Sequence, residues 1–167
     1  MRLRIIGAVI AALAGAVNAS AQKRGSVEFG GFASNTSFDD QLGMNRSWGA
    51  GGRIGVFLAS RLSIEFEGGA GRAGRPLGLR SVNVGVLSAR LTTVPLRIGP
   101  VSVLLGGGVD HVDTYSMESY GLHGLLGGKL ALSSGIALRV DGIASHMSHG
   151  GYTNLALHAG FSVYRQP

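Results

Sequence analysis

From Val27 onward the chain alternates apolar and polar positions with a period of two. Leu62, Ile64, Phe66 and Gly68 interleave with Ser63, Glu65 and Glu67, and near the end Leu155, Leu157, Ala159, Phe161 and Val163 interleave with Ala156, His158, Gly160 and Ser162. Successive side chains of a strand point to opposite faces, so this pattern predicts strands with one apolar face and one polar face. Eight strands are expected: about Val27 to Ser34, Trp48 to Leu58, Leu62 to Ala70, Val82 to Thr92, Val101 to Val112, Gly121 to Leu132, Ile136 to Ser145 and Asn154 to Tyr164. The connections Ala59 to Arg61 and Ser133 to Gly135 read as short turns, Asn35 to Ser47 and Gly71 to Ser81 as long polar loops, and Thr93 to Pro100 as an intermediate connection.

The apolar face is almost free of charge over all eight strands, whereas the other face collects Glu28, Arg53, Glu65, Glu67, Arg90, Asp110, Lys129, Arg139 and Asp141. A soluble barrel of lipocalin type would turn the apolar face inward. The near-absence of charge on that face, with long and short connections alternating, instead predicts an all-β, eight-stranded antiparallel transmembrane barrel with both termini in the periplasm. No uncharged apolar run after the first residues reaches the length of a spanning helix, and an open sheet edge cannot face lipid, so the sheet must close. A barrel of this size is filled by side chains, and the five acids and four bases are expected to form an ion-pair plug. A gated pore or an acid/base site is the functional alternative for the same residues.

The first residues set the compartment. Arg2 and Arg4 are followed by the uncharged run Ile5 to Val17 and by Ala19-Ser20-Ala21, the layout of a signal peptide ending at residue 21. Residues 22–167 then form one domain, expected in the bacterial outer membrane. There is no cysteine, so the fold uses neither disulfides nor thiolate metal sites. The 29 glycines sit inside apolar segments, where strands accept them at bends and close backbone contacts and helices do not. Loss of Arg2 and Arg4 lowers the formal charge from +6 to +4, and the remaining cations are scattered, so no nucleic-acid partner is implied.

Several short motifs carry candidate chemistry. Trp48, Tyr120 and Tyr164 are candidate interfacial aromatics. His146 and Ser148 fall on the apolar face if the seventh strand continues in register, where a His base and a Ser nucleophile would meet an acyl chain. No Asp or Glu follows Asp141 to orient the imidazole. His146, His149, His158 and His111 lack the carboxylates and spacing of a metal site, and the loop Ser34 to Asp40 lacks the pattern of a calcium loop. Neither a metal nor a cofactor is expected.

The segments Gly30-Gly31-Phe32, Ser37-Phe38-Asp39-Asp40, Gly49-Ala50-Gly51-Gly52-Arg53-Ile54-Gly55, Leu62-Ser63-Ile64-Glu65, Leu104 to Val109 and Leu138-Arg139-Val140-Asp141-Gly142 resemble the OmpA-like outer-membrane β-barrel domain. That resemblance spans essentially all of the chain after the signal peptide and implies membrane integrity, adhesion or small-solute leakage. The chain departs from the pattern in ending Tyr164-Arg165-Gln166-Pro167 without a terminal aromatic, and no peptidoglycan-binding domain is expected. Separately, His146-Met147-Ser148-His149 resembles the His-x-Ser-Asn segment of outer-membrane lipid A deacylases. The expectation is a non-enzymatic, porin-like, monomeric barrel with a structural, envelope-integrity or surface-interaction role. Its partners would be outer-membrane lipid, lipopolysaccharide and the barrel-assembly machinery. A deacylase-like hydrolase using His146 and Ser148, or a narrow small-solute pore, are the alternatives.

Overall fold

The computed structural model describes residues 23–75, 81–114, 117–148 and 150–167. The expected signal peptide and His149 lie outside the described residues. Period-two alternation produces eight strands: β1 (Val27–Ser37), β2 (Ser47–Ala59), β3 (Leu62–Ala73), β4 (Val82–Ile98), β5 (Val101–Thr114), β6 (Met117–Ala131), β7 (Ile136–Met147) and β8 (Thr153–Arg165). Each pairs antiparallel with its sequence neighbours, and β1 pairs with β8 from Val27↔Arg165 to Ser37↔Leu155, closing the barrel. Closure leaves no edge strand, so ladder hydrogen bonds are satisfied around the whole wall.

The strands run further than the pattern alone suggested. The largest correction is Thr93 to Pro100, expected as a connection: β4 continues through it to Ile98 and turns at Gly99 and Pro100. The β4–β5 register passes from Thr93↔Leu105 to Leu96↔Val103, so two residues of β4 stand opposite the single Leu104. That bulge takes Pro95, which has no N–H for the ladder, and lets Val94 point inward against Leu104. Two further corrections lie at the opposite end. The loop expected from Asn35 begins only after Ser37, and β5 and β6 extend to pair Thr114 with Met117.

The two ends differ. Residues 60–61, 99–100 and 132–135 connect strands at the end that holds both termini, while 38–46 and 74–81 are longer connections at the other end. Below we call these the terminal end and the loop end. At the loop end Phe38, Leu42 and Met44 fold back over a buried cluster of Ala73, Val84, Val112, Met147 and Tyr152. Deeper in the lumen Val94, Leu104, Leu125 and Ile143 form a second apolar cluster.

The outer wall is apolar and exposed. Phe66, Leu87, Leu91, Leu122, Leu126, Leu157 and Phe161 all project outward, and Leu126 is 62% accessible, whereas Glu28, Glu65 and Asp141 inside are 0% accessible. This is the reverse of a soluble protein, which does not present a continuous apolar belt to water. Inward glycines make room for the buried charges. A Cβ on Gly127 would lie 2.3 Å from Asp141 Oδ1, and one on Gly160 would lie 2.0 Å from the Gly31 carbonyl oxygen.

Candidate functional site

Eight of the nine charged residues singled out from the pattern meet in one connected cluster inside the barrel. They come from six strands: Glu28 on β1, Arg53 on β2, Glu65 and Glu67 on β3, Arg90 on β4, Lys129 on β6, and Arg139 and Asp141 on β7. Arg139 is the hub. Its Nη1 and Nη2 donate to the two oxygens of Glu65 at 2.9 Å each, Nε donates to Asp141 Oδ2 at 2.8 Å, and Nη1 also reaches Glu28 at 3.3 Å. Lys129 Nζ donates to Glu28 at 2.6 Å and Arg53 Nη1 to Asp141 at 2.6 Å. Arg90 spans Glu65 at 3.1 Å and Glu67 at 2.5 Å. Ser162 Oγ adds a hydrogen bond to Glu28 at 2.6 Å.

The cluster holds four acids and four bases, so its charge sums to zero. Removing ions from water is expensive, and it is offset only where pairing is close and the remaining lone pairs and protons are used. The two-pronged fit of Arg139 on Glu65 meets that condition, because a guanidinium fork matches a carboxylate. Aromatic faces supply further contacts: Lys129 Nζ lies 5.4 Å from the Tyr164 ring centre, and the Arg53 guanidinium lies 5.4 Å from that of Phe32.

Asp110, the ninth residue, stands apart. It accepts hydrogen bonds from Ser145 Oγ at 2.6 Å and Ser88 Oγ at 2.5 Å, and no base of the main cluster pairs with it. Its nearest cation-forming partner is His123, whose Nδ1 is 2.8 Å from Asp110 Oδ1, close enough for an ion pair but not aligned as a hydrogen bond. His158 stands likewise 3.1 Å from Glu67 and stacks on Phe32 with ring centres 4.4 Å apart. Neither histidine belongs to the nine charged residues singled out from the pattern, although the alternation puts His158 on the polar face of the last strand. Both fall on the inward parity of β6 and β8, the signal that would have found them.

The lumen retains little space. Two of its cavities measure about 70 Å³, between the Asp110 group and the loop end, and about 40 Å³, at the terminal end beside Lys129 and Arg97. Such volumes hold a few waters at most.

A concavity of about 1040 Å³ lies on the outer wall and is open to the surroundings. Two adjacent register rows line it. One runs Gly52, Gly68, Leu87, His111 and Tyr120, the other Ile54, Phe66, Ala89, Val109, Leu122 and His146, so small residues on β2 to β4 leave a hollow between large neighbours. Its polar end contains His146 and Ser148. Both side chains are exposed on the outer face, but each bonds elsewhere: Ser148 Oγ donates to the Tyr120 carbonyl at 2.7 Å, and His146 Nδ1 faces Thr153 Oγ1 at 3.2 Å. The hydroxyl proton is thus directed at a backbone oxygen, and the partner of the imidazole is a hydroxyl group, which cannot stabilise an imidazolium as a carboxylate does.

Trp48 and Tyr120 project from the outer wall, 72% and 61% accessible. Tyr164, expected with them at the interface, turns inward instead, its ring 6.3 Å from that of Phe57 and beside Lys129. It shares the parity of Asn154, His158 and Ser162, all buried, so a residue near the strand end is still held to the lumen face. Among the described residues no group of three or more His, Asp or Glu is placed to hold a metal ion.

No protein-family model and no curated protein matches the chain. Solved structures do. OprG from Pseudomonas aeruginosa superposes with a TM-score of 0.65 at 15% identity, over 87% of this chain and 98% of that one. Neisserial surface protein A gives 0.65 at 14% identity, over 83% and 95%. The N-terminal barrel domain of Pseudomonas aeruginosa OprF gives 0.57 at 15% identity, over 84% and 99%. The chain therefore shares the fold of small eight-stranded outer-membrane β-barrels.

Proposed function

We propose that the protein is an integral barrel of the bacterial outer membrane whose lumen is closed, and that it serves the envelope as a structural or surface-interaction element. It acts neither as a conduit nor as a catalyst. The observation that carries this reading is the neutral cluster of eight buried charges, which fills the barrel where a pore would need water. The apolar outer wall supports membrane insertion, because only such a surface is stable against hydrocarbon. Outer-membrane lipid and lipopolysaccharide then surround the wall, and the barrel-assembly machinery inserts it.

Membrane fractionation of the expressed full chain, followed by planar-bilayer recording of the purified barrel, tests the reading. Outer-membrane recovery with no stepwise conductance is expected. Recovery in a soluble fraction overturns the membrane assignment, and steady conductance altered by Arg53→Ala or Arg139→Ala overturns the closed lumen in favour of a narrow pore. Acyl release from lipopolysaccharide that is lost in Ser148→Ala establishes the hydrolase instead. The bonding of His146 and Ser148 predicts none.

A further inference from the structure

Charged side chains outside the lumen are distributed unequally between the two ends. The terminal end carries Lys23, Arg24, Arg61 and Arg165, all exposed, while the half-buried Arg97 turns to the lumen, where its Nε donates to Ser102 Oγ at 3.2 Å. Among the described residues no carboxylate side chain joins them: Glu28, the nearest in sequence, is buried in the lumen against Lys129. The loop end mixes both signs, with exposed Asp40, Asp113 and Glu118 beside exposed Arg46, Arg72 and Arg75.

The position of the terminal cations matters as much as their sign. Arg61 lies between Leu58 and Leu62, and Arg165 just beyond Val163, all outward apolar residues of the belt. The basic groups therefore stand where the apolar wall stops. In a bilayer that is the headgroup level, and long Arg and Lys stems lie along apolar surface while their charged ends reach polar oxygens. With short turns at this end there is no loop to shield them.

We infer that this collar binds the headgroups of anionic phospholipids in the leaflet that the terminal end faces. The inference rests on the membrane reading above. The occupant is identified by charge complementarity: a group of exposed cations without carboxylate side chains, at headgroup depth, matches lipid phosphodiesters bearing net negative charge. A zwitterionic lipid carries its own ammonium group and gains less.

The test places a fluorescent reporter at each end of the refolded barrel in phosphatidylcholine vesicles containing phosphatidylglycerol, with one or the other lipid brominated as a quencher. Trp48, the sole tryptophan, reports the loop end. Ile98→Trp in a Trp48→Phe background reports the collar, since Ile98 is 69% exposed at the terminal end. At the collar, phosphatidylglycerol is expected to be favoured about fivefold, the factor one basic contact supplies at a membrane surface. At Trp48 the two lipids should quench about equally. Arg24→Gln, Arg61→Gln and Arg165→Gln together should abolish the preference, and raising salt should weaken it. Heat-modifiable migration on gels verifies that each variant is folded.

Equal quenching by both lipids at the collar overturns the inference. So does a preference that survives the three substitutions or is the same at both ends. Retention on immobilised heparin without lipid preference also overturns it, and points to a soluble polyanion. Failure of the membrane reading is distinct, because neither reporter would then be quenched by either lipid.

Discussion

Arg139→Met is the perturbation that tests the lumen most directly. The residue is 1% accessible, and its guanidinium serves Glu65, Asp141 and Glu28 together. Methionine keeps much of the apolar stem but removes the charge, leaving four buried acids against three bases. Each charge-assisted hydrogen bond contributes about 1.5–3 kcal/mol, and a simple sum would give an implausibly large loss. Much of it is offset because a buried guanidinium no longer has to be stripped of water. The expected net loss is about 3–5 kcal/mol, the range for breaking a buried ion pair from one side.

Two comparisons separate that mechanism from general damage. Glu65→Gln added to Arg139→Met restores neutrality, so the double variant should be less destabilised than the sum of the singles by about 1–3 kcal/mol. Arg61→Gln, which removes an equal charge from the exposed terminal end, should change stability by less than about 0.5 kcal/mol. The assay is reversible unfolding by urea in lipid vesicles, followed by the emission of Trp48, which projects from the outer wall and passes into water on unfolding. The Arg139 effect should be insensitive to added salt, since buried pairs are screened little. A loss below about 1 kcal/mol for Arg139→Met, or strict additivity with Glu65→Gln, would refute the account of the lumen as an interdependent network.

Other outcomes follow from the wall. Gly127→Ala puts a methyl group against Asp141 and should cost about 1–3 kcal/mol, whereas Gly124→Ala, with nothing within 4 Å, should be nearly neutral in the same unfolding assay. Leu126→Arg on the outer face should cost about 2–4 kcal/mol in vesicles if that face meets lipid near mid-bilayer; an unchanged or raised stability would mean that the face is solvated. Ser88→Ala with Ser145→Ala strips Asp110 of both hydroxyl donors and should destabilise by about 2–4 kcal/mol, read by denaturant midpoint.

The alternation of polar and apolar positions was enough to assign the eight strands and the face on which each charge lies, because a one-residue slip would send Glu65, Arg139 and their neighbours into the opposite environment. Strand ends were less legible. Asn35 to Ser37 and Thr93 to Ile98 are polar or interrupted by proline, and they are recruited as strand by pairing with β2, β8 and β5, partners distant in sequence. Which base meets which acid was not legible either. Arg139 joins Glu65 across 74 positions and Glu28 across 111, a consequence of tilt and closure that no local spacing encodes. The same applies to Tyr164: its amphipathic chemistry suits an interface, but its parity on β8 places it inside.

The division of charge among the strands bears on how the chain assembles. Strands β1 to β4 bring three acids and two bases to the cluster, and β6 and β7 bring one acid and two bases, so the cluster draws its neutrality from both parts of the sequence. A partly built sheet of β1 to β4 alone would carry one unmatched negative charge on its lumen face. The missing positive charge arrives only with Lys129 and Arg139 on β6 and β7, which pair with Glu28 and Glu65 of the early strands. The charge pattern thus ties the late strands to the early ones, because a sheet stopped at β4 keeps a surplus acid that only later strands can pair.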